Sequence, residues 1–171
     1  KIINFLDLGL QPLANNYIKK NQLLNKEKKY RLKIGLNLKT KLVSINKPIS
    51  SKIMFNNNYP YRSSMSKTMI KSFKNLSRLI NKKFKPKKIL EIGSNDGSFM
   101  NNFPKKKVIG IEPCSNVEKI TNKMGFNTYS KYWNLKTAKQ LLKKDGKVDL
   151  IYSANTISHI ENLDEVFKSI N

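Results

Sequence analysis

The feature that most constrains this chain is a short apolar run, Ile89-Leu90-Glu91-Ile92, that passes directly into Gly93-Ser94-Asn95-Asp96-Gly97. A strand feeding a tight glycine-bearing loop ahead of a helix is how an open α/β sheet begins. The following residues keep that rhythm. Residues 107–111 read as a second strand, 117–124 as a helix stopped by Gly125, 126–129 as a weak third strand and 135–144 as a helix closed by Asp145-Gly146. Residues 148–152 read as a fourth strand, and Leu163–Ile170 as the start of another helix. The pattern predicts an α/β fold: a Rossmann-like parallel sheet, partial at four strands, in the order 3-2-1-4 with right-handed crossovers and helices on both faces.

The loop residues narrow the ligand. A dinucleotide loop needs three glycines, G-x-G-x-x-G, so that a pyrophosphate reaches the helix N-terminus. Here only Gly93 and Gly97 are present, and Asn95 stands at the middle position. No Lys-Ser/Thr pair follows, which excludes a P-loop. A cofactor without phosphates fits better, and S-adenosyl-L-methionine is the common one; the plainer alternative is an ordinary strand–helix turn. Glu112 weighs against that alternative. It ends the second strand about twenty residues after the loop begins, where a carboxylate accepts hydrogen bonds from ribose hydroxyls. Pro113 and Cys114 follow and are placed to flank an adenine.

The fourth strand runs into Ser153-Ala154-Asn155-Thr156-Ile157-Ser158-His159-Ile160, at the same sheet edge as the glycine loop. Ligands of parallel sheets sit outside that edge. An Asn-Pro-Pro-aromatic motif for amino-group methylation is absent here, and so is the Pro-Cys pair of a cytosine-C5 nucleophile. The chain's Pro113-Cys114 lies after the second strand instead, so Cys114 reads as a packing residue. His159 is the candidate general base, with packing at the start of the next helix as the alternative.

Residues 1–60 read as a separate small module. Residues 5–15, punctuated by Gly9 and Pro12, suggest a short strand or turn and then an irregular stretch. Leu32, Ile34, Leu36 and Leu38 alternate as a half-buried strand, and 42–45 return as its hairpin partner. Residues 61–87 connect the two parts. Met65, Met69, Phe73, Leu76 and Ile80 stripe a helix over 63–82, capped by Ser63 or Ser64. Residues 88–171 form the α/β part.

Composition bounds the partners. The net charge is +23, from 34 basic and 11 acidic residues. That invites a nucleic-acid partner. Yet the basic residues are nearly all Lys, spread along the chain, whereas base readers favour bidentate Arg. Compositional bias is the favoured reading, with attraction of anionic small molecules such as sugar nucleotides. One Cys and one His permit no intrachain disulfide and argue against a Cys/His zinc site. No apolar run has membrane-spanning length and no signal peptide is present, so a soluble cytoplasmic protein without a membrane partner is expected.

Taken together, these motifs resemble the C-methyltransferases that act on nucleotide-linked keto-deoxysugars. Residues 91–97 resemble their first motif, Gly110-Ile111-Glu112-Pro113 their ribose-binding segment, and Ala154–Ile160 their fourth-strand motif. Leu8–Asn15 is similar to their N-terminal zinc-binding module. Tyr61-Arg62-Ser63-Ser64 is similar to the segment that closes over the cofactor. The resemblance implies S-adenosyl-L-methionine bound by Tyr61, Ser63, Glu91, Gly93, Ser94, Asn95, Gly97, Glu112, Pro113 and Asn155. It also implies a proton taken from carbon beside a keto group, followed by methylation of the enolate. Two departures stand out. One Cys-x-x-Cys pair of the zinc module would fall before Lys1 and the other at Asn37 and Thr40, so no metal is expected. The chain also stops after the fourth strand and reads as a fragment. The competing functions are an RNA-modifying methyltransferase and a non-catalytic cofactor-binding piece.

Overall fold

A computed structural model describes residues 1–23 and 27–171. The chain divides into two compact units, Lys1–Met54 and Phe55–Asn171. The first unit is a three-stranded antiparallel sheet in the order β1-β2-β3, with β1 Ile2–Pro12, β2 Lys29–Asn37 and β3 Val43–Ile45, followed by a four-residue helix, α1 Ser51–Met54.

The short strand or turn expected near residue 5 is instead part of an eleven-residue strand. Gly9 does not end it. At φ +70° it absorbs a register shift between Asp7 and Leu10, with its N–H donating to Asp7 Oδ1 at 3.0 Å. Pro12 terminates the strand at the sheet's edge, where its missing N–H costs nothing. Asp7 also pairs across the sheet with Arg31 at 2.7 Å. The alternation of Ile34 and Leu36 is observed in β2, paired with Ile45 and Val43. Leu38 falls in the turn. There Asn37 Oδ1 accepts the N–H groups of Lys39 and Thr40.

The second unit is the α/β part. Its helix α2 is Lys67–Lys83, shorter at the front than the sequence stripe predicts. Ser63–Met65 forms a separate 3-10 turn, and the cap is Ser66, whose side chain accepts the Met69 N–H at 3.2 Å. Ser63 and Ser64 do not serve as the cap because they lie in that turn, which the extended Ser66 separates from α2. Met65 leaves the stripe and is 81% exposed.

The remaining elements are β4 Ile89–Ile92, β5 Val108–Ile111, α3 Ser115–Lys123, β6 Asn127–Tyr129, α4 Leu135–Asp145, β7 Leu150–Tyr152 and α5 Leu163–Ile170. The sheet order is β6-β5-β4-β7, all parallel, which is the expected 3-2-1-4. Asn134 caps α4 by accepting the Thr137 N–H, and Asn162 caps α5 by accepting the Glu165 N–H.

One expected helix does not form. Between the loop and β5 there are only 3-10 turns at Met100–Asn102 and Lys105–Lys107. Pro104 bars continuation of a helix. Asn102 turns its amide back onto the carbonyls of Ser98 and Phe99, competing with helical bonding.

Strand residues alternate between two cores. Ile89 and Val108 face Phe73, Ile80, Phe99, Met100 and Phe126. Leu90, Ile92, Ile109 and Ile111 face Trp133, Leu141 and Val166. Both faces are covered, which is why the strands read as continuous apolar runs. Phe99 anchors the first core, stacked on Tyr152 at 3.8 Å and edge-on to Phe103 at 5.1 Å. Phe99→Ala should cost about 3–5 kcal/mol by the cavity it leaves. Denaturant unfolding measures this; a loss below about 1 kcal/mol would mean that Phe99 is not the anchor.

Candidate functional site

The loop after β4 is built on backbone that only special residues tolerate. Gly93, Asn95 and Gly97 have φ of +74°, +46° and +79°. The N–H groups of Gly93 and Ser94 both donate to the Ile111 carbonyl, at 2.8 and 3.1 Å, which fastens the loop to the end of β5. A Cβ on Gly93 would lie 2.2 Å from Thr156 Oγ1, and one on Gly97 3.0 Å from Thr121 Cγ2. Gly93 therefore admits the segment after β7, and Gly97 admits α3.

Asn95 is more than a substitute for a missing glycine. Its Oδ1 accepts the Ser63 N–H at 2.9 Å, and its amide donates to the Tyr61 carbonyl at 3.3 Å. Asp96 continues the seam: Oδ2 accepts the Ser64 N–H at 3.0 Å and Oδ1 the Ser98 hydroxyl at 2.6 Å. The expected loop residues and the expected closing segment are thus held together.

Glu112 follows β5 and is 5% exposed. One carboxylate oxygen accepts the Asn95 N–H and the other the Cys114 N–H, each at 2.9 Å. Burial raises its pKa, opposed by the N–H groups of Cys114 and Asn95 and by the Arg62 charge. The Cys114 thiol is a third donor to this carboxylate, which has about four acceptor positions and so keeps about one for a ligand hydroxyl.

The other acidic candidate lies deeper. Glu91 is 3% exposed, beneath the loop. It accepts the Met100 N–H, and its Oε2 has no partner. Burial pushes its pKa well up, and the charges of Glu112 and Asp96 push it further. Ser94 is likewise buried, its Oγ directed at the space beside Gly110. Both residues shape the loop from below.

The end of β7 completes the edge. Ser153 donates to the Ile92 carbonyl at 3.0 Å, tying β7 to the loop. Asn155 is exposed at φ +53°. His159 lies on an exposed 3-10 turn, its ring edge-on to Phe55 at 5.7 Å. Pro113 accepts a long bond from Ser130 Oγ at 3.4 Å. Cys114 is fully buried; burial first, and Glu112 second, raise its thiol pKa, which fits the packing role.

Sequence reasoning missed how far the segment before α2 reaches. Residues 55–64 cross the carboxyl ends of all four strands. Tyr132 donates to the Phe55 carbonyl at 2.8 Å, Ser115 to Asn57 Oδ1 at 2.8 Å and Asn116 to the Tyr59 carbonyl at 2.9 Å. Arg62 folds back to donate to the carbonyls of Tyr59 and Tyr61. Tyr132 and Asn116 carry no motif, so nothing in their spacing marks them.

With this geometry in place, comparison with known proteins assigns the fold. The chain belongs to the methyltransferase domain family, which residues 61–171 match. Residues 1–55 match the family described as "Putative zinc binding domain". Asn37 and Thr40, where the resemblance would place a pair of zinc ligands, offer an amide that caps the turn and a hydroxyl rather than thiolates. Among the described residues no group of three or more His, Cys, Asp or Glu is placed to hold a metal ion. No curated protein matches.

Two solved structures are similar. One is the plantazolicin methyltransferase BamL, in complex with a triazolic desmethylPZN analog and SAH. It has 19% identity and a TM-score of 0.49, over 63% of this chain and 43% of that one. The other is the plantazolicin methyltransferase BpumL, in complex with a monoazolic desmethylPZN analog and SAH. It has 18% identity and a TM-score of 0.46, over 63% of this chain and 44% of that one. The chain thus spans less than half the length of either protein.

The buried Glu91 makes a pH prediction. Its folded pKa lies above the ordinary 4.5, so its share of stability is full below that value and is lost as pH rises toward the folded pKa. Glu91→Gln lacks this loss. Its stability relative to the wild type should therefore climb between about pH 4.5 and pH 8. Urea unfolding at the two pH values reads the difference, and a constant gap would mean that Glu91 titrates normally.

Proposed function

We propose that this chain forms the cofactor-binding part of an S-adenosyl-L-methionine-dependent methyltransferase, whose substrate is a nucleotide-linked keto-deoxysugar methylated at carbon. The observation that carries the cofactor reading is Glu112. It is a buried carboxylate at the end of β5, bonded to the backbone of a loop that lacks dinucleotide glycines. Its open acceptor position suits a ribose hydroxyl of an adenosyl group. The substrate reading rests on the resemblance of residues 91–97, 110–113 and 154–160 to the sugar C-methyltransferases.

When bound, S-adenosyl-L-methionine supplies an electrophilic methyl group on its sulfonium. The chain's residues supply position. Gly93 and Asn95 set the loop backbone that would hold the adenosyl group. Pro113 would border the adenine, and Asn155 stands at the end of β7. Tyr61 and Ser63, held by Asn95, close the site from above and exclude water. His159 is the group assigned to take the proton from carbon beside the keto group.

Titration with S-adenosylhomocysteine tests the cofactor reading. Glu112→Ala should bind it about tenfold or more weakly than the wild type, through loss of the ribose hydrogen bond. Equal affinities in two folded proteins would remove Glu112 from the site.

A further inference from the structure

The lysines that look dispersed in sequence are gathered by the topology. In a parallel sheet all strands start at one edge, and the crossover helices end there. That edge carries the lysine-rich segment 82–88, the turn Lys105–Lys107 and the segment 143–147. They precede β4, β5 and β7 respectively. With strands about 4.8 Å apart, the four strand starts lie within about 15 Å. The segments also touch. Lys88 Nζ donates to the Asp145 carbonyl, and the N–H groups of Lys87 and Lys88 both donate to Asp149 Oδ2 at 2.8 Å.

The acidic residues at this edge do not neutralise it: the three segments hold eleven lysines against Asp145, with Asp149 close by. Among the described residues, ion pairs form only at Asp7, in the first unit. Lysines in the last turns of α2, α3 and α4 offset the helix dipoles. That does not account for Lys85, Lys87 or the Lys105–Lys107 turn, which lie outside those helices. Like charges packed within one or two Debye lengths repel, and a multivalent anion relieves the repulsion.

We infer that the edge formed by 82–88, Lys105–Lys107 and 143–147 is a docking surface for an anionic phospholipid bilayer. Three observations select a bilayer over a nucleic acid. The segments contain Lys and no Arg, giving point charges without the planar fork of phosphate readers. The helices flanking the edge pack on opposite faces of the sheet, α2 with the Phe73 core and α4 with the Leu141 core, so the charge spreads over a broad front. Each of these helices also carries an exposed apolar side chain near this end, Phe84 at 59% and Leu142 at 53%. Beside lysines, such side chains suit a headgroup boundary. No helix of the described residues is long and apolar enough to cross a membrane, so the contact is peripheral. The glycine loop lies at the opposite sheet edge, turned away from the bilayer.

Vesicle co-sedimentation of the 171-residue chain tests this. Binding is expected to phosphatidylcholine vesicles containing about one-third phosphatidylserine, and not to phosphatidylcholine alone. The triple variant Lys82→Gln, Lys106→Gln and Lys143→Gln, one exposed lysine from each segment, should bind about a hundredfold more weakly. The control Lys67→Gln, Lys71→Gln and Lys74→Gln removes the same charge from the front of α2 and should stay within about threefold of the wild type. Lys106→Glu alone, on a turn outside the helices, should weaken binding about tenfold and serves if the triple variant does not fold. Phe84→Ser should reduce the binding that survives high salt. Equal loss in the control variant would overturn the proposal, as would equal binding to neutral vesicles. So would displacement from the vesicles by single-stranded RNA at matched phosphate concentration, which would make the partner a nucleic acid.

Discussion

The contact between Glu112 and the Asn95 N–H joins the two halves of the site, and the surrounding structure is arranged to preserve it. The bond links the end of β5 to the loop after β4, two points that are adjacent only because the sheet is parallel. It holds Asn95 in a left-handed conformation from which the Asn95 side chain reaches Ser63 and Tyr61. Without that link the loop would be held to β5 by the Gly93 and Ser94 N–H groups alone. A carboxylate is suited to the position because it can accept these main-chain donors and still present an acceptor to a ligand.

The cost of this arrangement is electrostatic. Glu91, Asp96 and Glu112 are all buried around one loop, in a chain whose net charge is +23. Asp96 is satisfied by Ser64 and Ser98, and Glu112 by two N–H groups, but Glu91 keeps an unpartnered oxygen. Burial beside two other carboxylates favours the protonated form of Glu91. Three buried acidic groups thus sit at the edge where ligand chemistry is assigned, while three lysine-rich segments meet at the other.

Some differences between sequence and structure have local causes. The stripe of α2 was legible from Met69 to Ile80, but its start was not. Ser63 and Ser64 look like caps, but they fold into a separate turn and the extended Ser66 caps the helix instead. The missing helix after Gly97 had a visible signal in Pro104 and the Asn101-Asn102 pair. The long β1 was hidden because Gly9 reads as punctuation, although a glycine can equally carry a bulge.

The sequence by itself determined the strand–helix alternation, the parallel order and the identity of the loop and its acidic partner. Those properties follow from apolar periodicity and from glycine and acidic spacing, which act over a few residues to a few turns. Only the tertiary structure decided that Glu91 lies beneath the loop and Glu112 beside it. The same holds for segment 55–64 crossing every strand end, and for three separated lysine segments meeting at one edge. These depend on which strands become neighbours and which side chains are shielded from water, and both are set by packing between residues distant in sequence.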